Sequence, residues 1–131
     1  MIGLDTNVIV QYLMRDDALQ SKQAQALINS LSVSNPGFVS LVVIVELFWF
    51  LSYVFQLSQS EASVRLSRIA RMSEFKVEKA AVLFRALHLC DTTNAEFVDS
   101  LIFSLAKQAG CSAIVTFDRK AAKALGMQRI V

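Results

Sequence analysis

Five carboxylates in this 131-residue chain stand among large apolar residues, where charge is costly to place. Asp5 follows Met1-Ile2-Gly3-Leu4, Glu46 interrupts the run from Leu41 to Phe50, Glu96 and Asp99 bracket Phe97-Val98, and Asp118 ends Ile114-Val115-Thr116-Phe117. The other six acids, Asp16, Asp17, Glu61, Glu74, Glu78 and Asp91, lie in polar or boundary contexts that solvation or helix capping explains. Buried charges are rare unless paired or bound to a metal. Four carboxylates gathered at ~6 Å in an effective dielectric of ~20 repel by about 3 kcal/mol per pair, about 17 kcal/mol over six pairs. That rivals the ~5–15 kcal/mol stability of a whole domain. Such a set takes up protons, spreads apart or binds a cation, and all-oxygen donors suit Mg²⁺ or Mn²⁺ rather than zinc. Zinc-ligand spacing is missing in any case, with His88 the single histidine and no Cys-x-x-Cys.

Simpler roles compete at three of the five positions. Asp5 and Asp118 are placed to cap helices, and Glu96 completes a capping-box pattern with Thr93. Glu46 and Asp99 occupy no cap position, so they carry more of the weight. His88 reads as a packed or half-exposed helix residue, and Arg65, Arg68 and Arg71 as a solvated helix face. No Gly-rich phosphate loop and no Gly-x-Ser-x-Gly elbow are present.

The elements that must position these acids alternate between strand-like and helix-like runs. A strand over residues 2–5 precedes helices over 7–14 and 18–31, the second capped by Asp17. Asn35-Pro36-Gly37 is a loop, residues 38–40 a second strand, and residues 41–55 a helix apolar on all sides, as a helix buried all round should be. Ser58 with Glu61 opens a helix to residue 72, residues 75–77 form a weak third strand, and residues 78–90 are helical. Thr93 with Glu96 opens a helix to residue 107 that stops at Gly110 in a left-handed cap. Residues 113–116 are the clearest strand, a short helix runs from Asp118 to Gly126, and residues 128–131 close as a strand. Short strands separated by helices imply βαβ units around a parallel sheet, an α/β sandwich with ligands at the carboxyl ends of its strands.

Length predicts one domain over residues 1–131. The chain is 54% apolar and 18% charged, against about 45–50% and 25% in typical domains, which predicts a subunit interface centred on the 41–55 helix. Cys90 and Cys111 are too few for a disulfide framework and read as reduced, packed thiols. Asp5 interrupts the N-terminus before any signal-like apolar segment, which predicts a cytoplasmic protein. The apolar run from Phe38 to Phe55 approaches bilayer length, but Glu46 at its centre and Pro36-Gly37 at its start argue for a buried strand and helix. Without Asp5, Glu46, Asp99 and Asp118, 13 basic residues face seven acidic ones, a surface that attracts polyanions.

Leu4-Asp5-Thr6-Asn7, the isolated Glu46, Phe97-Val98-Asp99-Ser100-Leu101-Ile102 and Thr116-Phe117-Asp118-Arg119 together resemble the PIN-domain family, specifically VapC-like toxins of type II toxin–antitoxin pairs. The match in order and spacing spans essentially the whole chain. The resemblance implies a three-layer α/β/α sandwich with a short-stranded parallel sheet. It further implies a Mg²⁺- or Mn²⁺-dependent endoribonuclease, homodimeric and held inactive by a VapB-like antitoxin. Asp5, Glu46, Asp99 and Asp118 look like the family's acidic quartet, catalytic and metal-binding, with Thr6, Asn7 and Thr116 in support. Hydrolysis by metal-activated water then leaves 5′-phosphate and 3′-hydroxyl ends. Glu96 stands where related sequences often carry Asp.

Other α/β readings fit less well. A receiver-like signalling domain needs an acidic pair after the first strand and an Asp mid-chain, and a haloacid-dehalogenase-type phosphatase needs a second Asp two residues after Asp5; both are missing. A catalytically silent PIN-like module that binds RNA or a protein partner, and a DNA nuclease using the same acids, remain as alternatives.

Overall fold

The computed structural model describes residues 1–131. It resolves into two compact units, Met1–Glu78 and Lys79–Val131.

The first unit holds a parallel three-stranded sheet, β1 (Ile2–Gly3), β2 (Gly37–Val39) and β3 (Phe75–Val77), in the order β1-β2-β3. Ile2 pairs with Gly37 and Gly37 with Phe75, so β2 is the central strand. Gly37 is glycine for a packing reason: a Cβ there would lie 2.6 Å from Leu4 Cδ1 and 2.9 Å from Leu31 Cδ1. Gly37→Ala is therefore expected to destabilise the fold by about 1–3 kcal/mol through overpacking, read as a lower urea midpoint at unchanged slope.

Helices α1 (Thr6–Met14) and α2 (Ala18–Asn29) follow β1, capped by Asp5 and Asp17. Ser40 caps α3 (Leu41–Trp49), a π-helical turn continues over Phe50–Val54, and α4 (Gln59–Arg71) leads to β3. The capping box at Ser58 and Glu61 forms as the sequence predicts. Ile9, Val39, Ile44, Leu47, Leu66 and Ile69 fill this unit's interior. The 41–55 segment departs from expectation twice. Its α-helix ends at Trp49, where i→i−5 bonding takes over with Phe55 N–H donating to the Phe50 carbonyl. Nor is it buried all round: Val42, Trp49, Tyr53 and Val54 are exposed, Tyr53 by 71%. No helix is long and apolar enough to cross a membrane.

The second unit contains α5 (Ala80–Thr92), α6 (Phe97–Gln108) and α7 (Arg119–Leu125) with the parallel pair β4 (Val115–Thr116) and β5 (Gln128–Arg129). The five strands thus form two parallel sheets, one in each unit, where the sequence predicts a single sheet. Ala121, Leu125, Met127 and Ala95 form a small core supported by Leu89, Phe103 and Ile114. Gly110 follows α6 at φ 90°, left-handed as expected, and Gly126, where α7 ends, is left-handed too at φ 74°. The Thr93–Glu96 capping box does not form. Thr93 closes α5 instead, its hydroxyl donating to the Leu89 carbonyl and accepting from Ala95 N–H, and α6 starts only after Glu96. Cys90 is partly buried, its Sγ 3.6 Å from Ser100 Oγ, and burial raises its pKa. Cys111 is exposed rather than packed.

Candidate active site

Parallel pairing of β1 with β2 sends both strands out at the same sheet edge, where Asp5 caps the helix after β1 and Glu46 lies within the helix after β2. Asp5 is the residue before α1, its Oδ1 accepting from Thr6 N–H at 2.8 Å. The Thr6 hydroxyl donates to Glu46 Oε1 at 2.7 Å. One buried threonine, 4% exposed, thereby holds both Asp5 and Glu46. Asn7 is exposed one residue further along α1 and lines a shallow pocket with Gln11, Gln20 and Gln23.

The second unit gathers the other two acids. Asp99 stands in the first turn of α6, and Asp118 caps α7 by accepting from Ala121 N–H at 3.0 Å. Thr116 Oγ1 accepts from Asp118 N–H at 3.0 Å, fixing the turn between β4 and α7. Burial is the main force raising the Asp99 pKa, reinforced by the charges of Asp118 and Glu96 and opposed by Lys120. Glu96, set aside by the capping-box pattern, is thus an electrostatic neighbour of Asp99, and it pairs with Lys120 at 3.8 Å.

The expected cost of burying these charges is largely relieved, because Asp5, Glu46 and Asp118 are exposed and only Asp99 is partly buried. Water screens like charges at such positions far better than an apolar interior does. Each unit presents carboxylate oxygens, Glu46 held by the Thr6 hydroxyl in the first and Asp118 set on a turn fixed by Thr116 in the second, and this donor chemistry fits an oxygen-ligated divalent cation. Neither unit by itself gathers three acidic, histidine or cysteine side chains that would hold one. His88 lies exposed on α5. On α4, Arg65 bonds to the Glu61 carbonyl and Arg71 to Ser67 Oγ, as on a solvated face.

A family model for the PIN domain matches residues 2–125, nearly the whole chain and both units. The chain belongs to the PIN-domain family. PIN domains are in general nucleases that act with divalent metals. Among solved structures, this PIN domain is similar to the FitAcB crystal structure from Neisseria gonorrhoeae, at 20% identity over 100% of this chain and 97% of that one, with a TM-score of 0.39. No curated protein matches it.

Proposed function

We propose that this PIN domain is the toxin of a VapBC-type pair, a Mg²⁺- or Mn²⁺-dependent endoribonuclease with Asp5, Glu46, Asp99 and Asp118 as its acidic quartet. The observation that supports the reading is a PIN-domain match over residues 2–125 in a chain where Thr6 donates to Glu46 beside Asp5, and where burial and the charge of Asp118 raise the pKa of Asp99. Carboxylate oxygens of the quartet would hold the cation, with Asp5 and Asp99 as its principal ligands. The bound cation supplies Lewis acidity, which brings the pKa of water toward neutrality and offsets charge building on a phosphodiester. Thr6 orients the Glu46 carboxylate, and Thr116 sets the turn that presents Asp118. Regulation rests with a VapB-like antitoxin that covers the acids, and the exposed Trp49–Tyr53 face supplies a homodimer contact. The protein works in the cytoplasm.

The test is incubation of the purified protein with total tRNA and other structured RNAs in Mg²⁺ or Mn²⁺, beside EDTA and Asp5→Asn. Asn ranks with Asp as a helix cap, so this substitution removes charge while sparing α1. Discrete fragments with 5′-phosphate and 3′-hydroxyl ends, lost in EDTA and in the variant, are the expected result. Ends bearing 2′,3′-cyclic phosphate would refute hydrolysis by water. A protein that binds RNA without cutting it in either metal is the silent module instead.

A further inference from the structure

One face of α7 carries chemistry that neither capping nor packing uses. Ala121 and Leu125, four apart, are buried in the small core of the second unit, so the opposite side of this helix is free of packing. There Arg119, Lys120 and Lys123 are exposed and, with Asn94, line an open pocket of about 550 Å³. That volume falls within the about 300–1,000 Å³ range of small-ligand clefts. Three cations around one depression repel one another and gain from an anion. Lys120 has a competing partner in Glu96, but at 3.8 Å between side chains 61% and 67% exposed, that ion pair contributes little and yields to a stronger anion.

Phe117 stands just before Asp118 with its side chain mostly in water, the residue being 76% exposed. At most about 7 Å of chain separates it from Arg119. An aromatic face in water next to a cationic pocket is the combination that takes a nucleotide, the ring stacking on a base and the cations receiving its phosphate. An acidic peptide would satisfy the cations and leave the ring unused.

Resting on the nuclease reading above, we infer that Phe117, Asn94, Arg119, Lys120 and Lys123 form a nucleotide subsite beside Asp118. In it an unpaired base of the RNA stacks on Phe117 and an adjacent phosphate enters the basic pocket. These are positioning residues: they fix where the strand lies against the acids and take no part in bond breaking. Stacking needs a base out of its duplex, so the subsite favours unpaired RNA.

The experiment measures binding of a short fluorescein-labelled mixed-sequence oligoribonucleotide to the full chain in EDTA, by anisotropy across a salt series, and cleavage of RNA in Mn²⁺. Phe117→Ala should weaken binding roughly 5- to 100-fold, with Phe117→Trp restoring it. Lys120→Gln and Lys123→Gln should each flatten the dependence of log affinity on log salt by about 0.7. In cleavage, the Phe117→Ala and Lys123→Gln losses should appear as higher KM at nearly unchanged kcat. These side chains are exposed, so thermal melting should match wild type.

If wild type cuts RNA while folded Phe117→Ala and the lysine variants bind and cut as wild type does, the subsite is overturned and the nuclease stands. If nothing is cut yet the oligonucleotide binds in a Phe117-dependent way, the subsite holds and the nuclease reading falls. A polyglutamate peptide that competes equally well, indifferent to Phe117, makes the patch a protein-docking surface and overturns the inference.

Discussion

Asp99→Asn is expected to lower RNA cleavage by about 10²- to 10³-fold while leaving the metal-free protein as stable as wild type or more so. The stability half follows from the direction of the Asp99 shift. Partial burial, with Asp118 and Glu96 nearby, lifts its pKa above the ordinary 3.8, so the fold favours the protonated acid. Between the unfolded and folded values the native chain holds a proton that the unfolded chain has released. Stability contributed by this group is therefore full below pH 3.8 and declines as pH rises through the folded pKa. At neutral pH the ionised carboxylate opposes folding, and a neutral amide of the same shape removes that opposition. The side chain is largely solvated, so the gain is small, on the order of 2 °C in Tm. Mg²⁺ or Mn²⁺ reverses the ranking, because a ligand of the native state stabilises only the protein that binds it. Melting curves with EDTA and with metal, beside cleavage rates, check both halves. An Asp99→Asn protein that melts well below wild type in EDTA would make Asp99 a structural acid.

The acids were legible because residue type and position in the chain are both visible in sequence: a carboxylate just after an apolar strand-like run is conspicuous whatever surrounds it in space. Their solvation was not legible. Glu46 sits in an apolar run, yet the α3 face that carries Val42 and Trp49 is also exposed, and one residue's apolar neighbours in sequence do not report which side of a helix faces water. The end of α3 was hidden for a related reason, since a π-helical turn uses the same residue types as the α-helix it follows. Capping patterns divide along physical lines. At Ser58 the hydroxyl accepts from Glu61 N–H and the box forms, whereas at Thr93 the preceding helix runs two residues past its expected end and its Leu89 carbonyl takes the hydroxyl. That mistaken box also concealed Glu96, whose influence on Asp99 runs through space rather than along the chain. The Arg119-Lys120-Lys123 spacing was visible in sequence, but its meaning depends on Ala121 and Leu125 being the buried pair, which only packing reveals.

Thr6 separates orientation from charge at the other pair of acids. Its hydroxyl is the donor at 2.7 Å to Glu46, while its backbone N–H serves Asp5 independently of the side chain. Thr6→Val keeps nearly the same shape in a buried site and preserves the Asp5 contact, so the substitution subtracts one hydrogen bond and little else. Glu46 is exposed and regains water, which holds the stability cost to about 1 kcal/mol. Function should respond more strongly, because groups that orient a ligand carboxylate typically matter 10- to 100-fold in metal affinity or activity. The expected signature is a higher Mg²⁺ or Mn²⁺ concentration for half-maximal cleavage with a nearly unchanged Tm. Thr6→Ser, which keeps the hydroxyl and loses a buried methyl, should show the opposite pattern: near-normal metal response and a lower Tm. If the valine protein titrates with metal as wild type does, Glu46 is held by something other than Thr6 or takes no part in binding the cation. The crossing of the two variants, one costing metal response and the other costing stability, distinguishes a positioning hydroxyl from a residue that merely fills space.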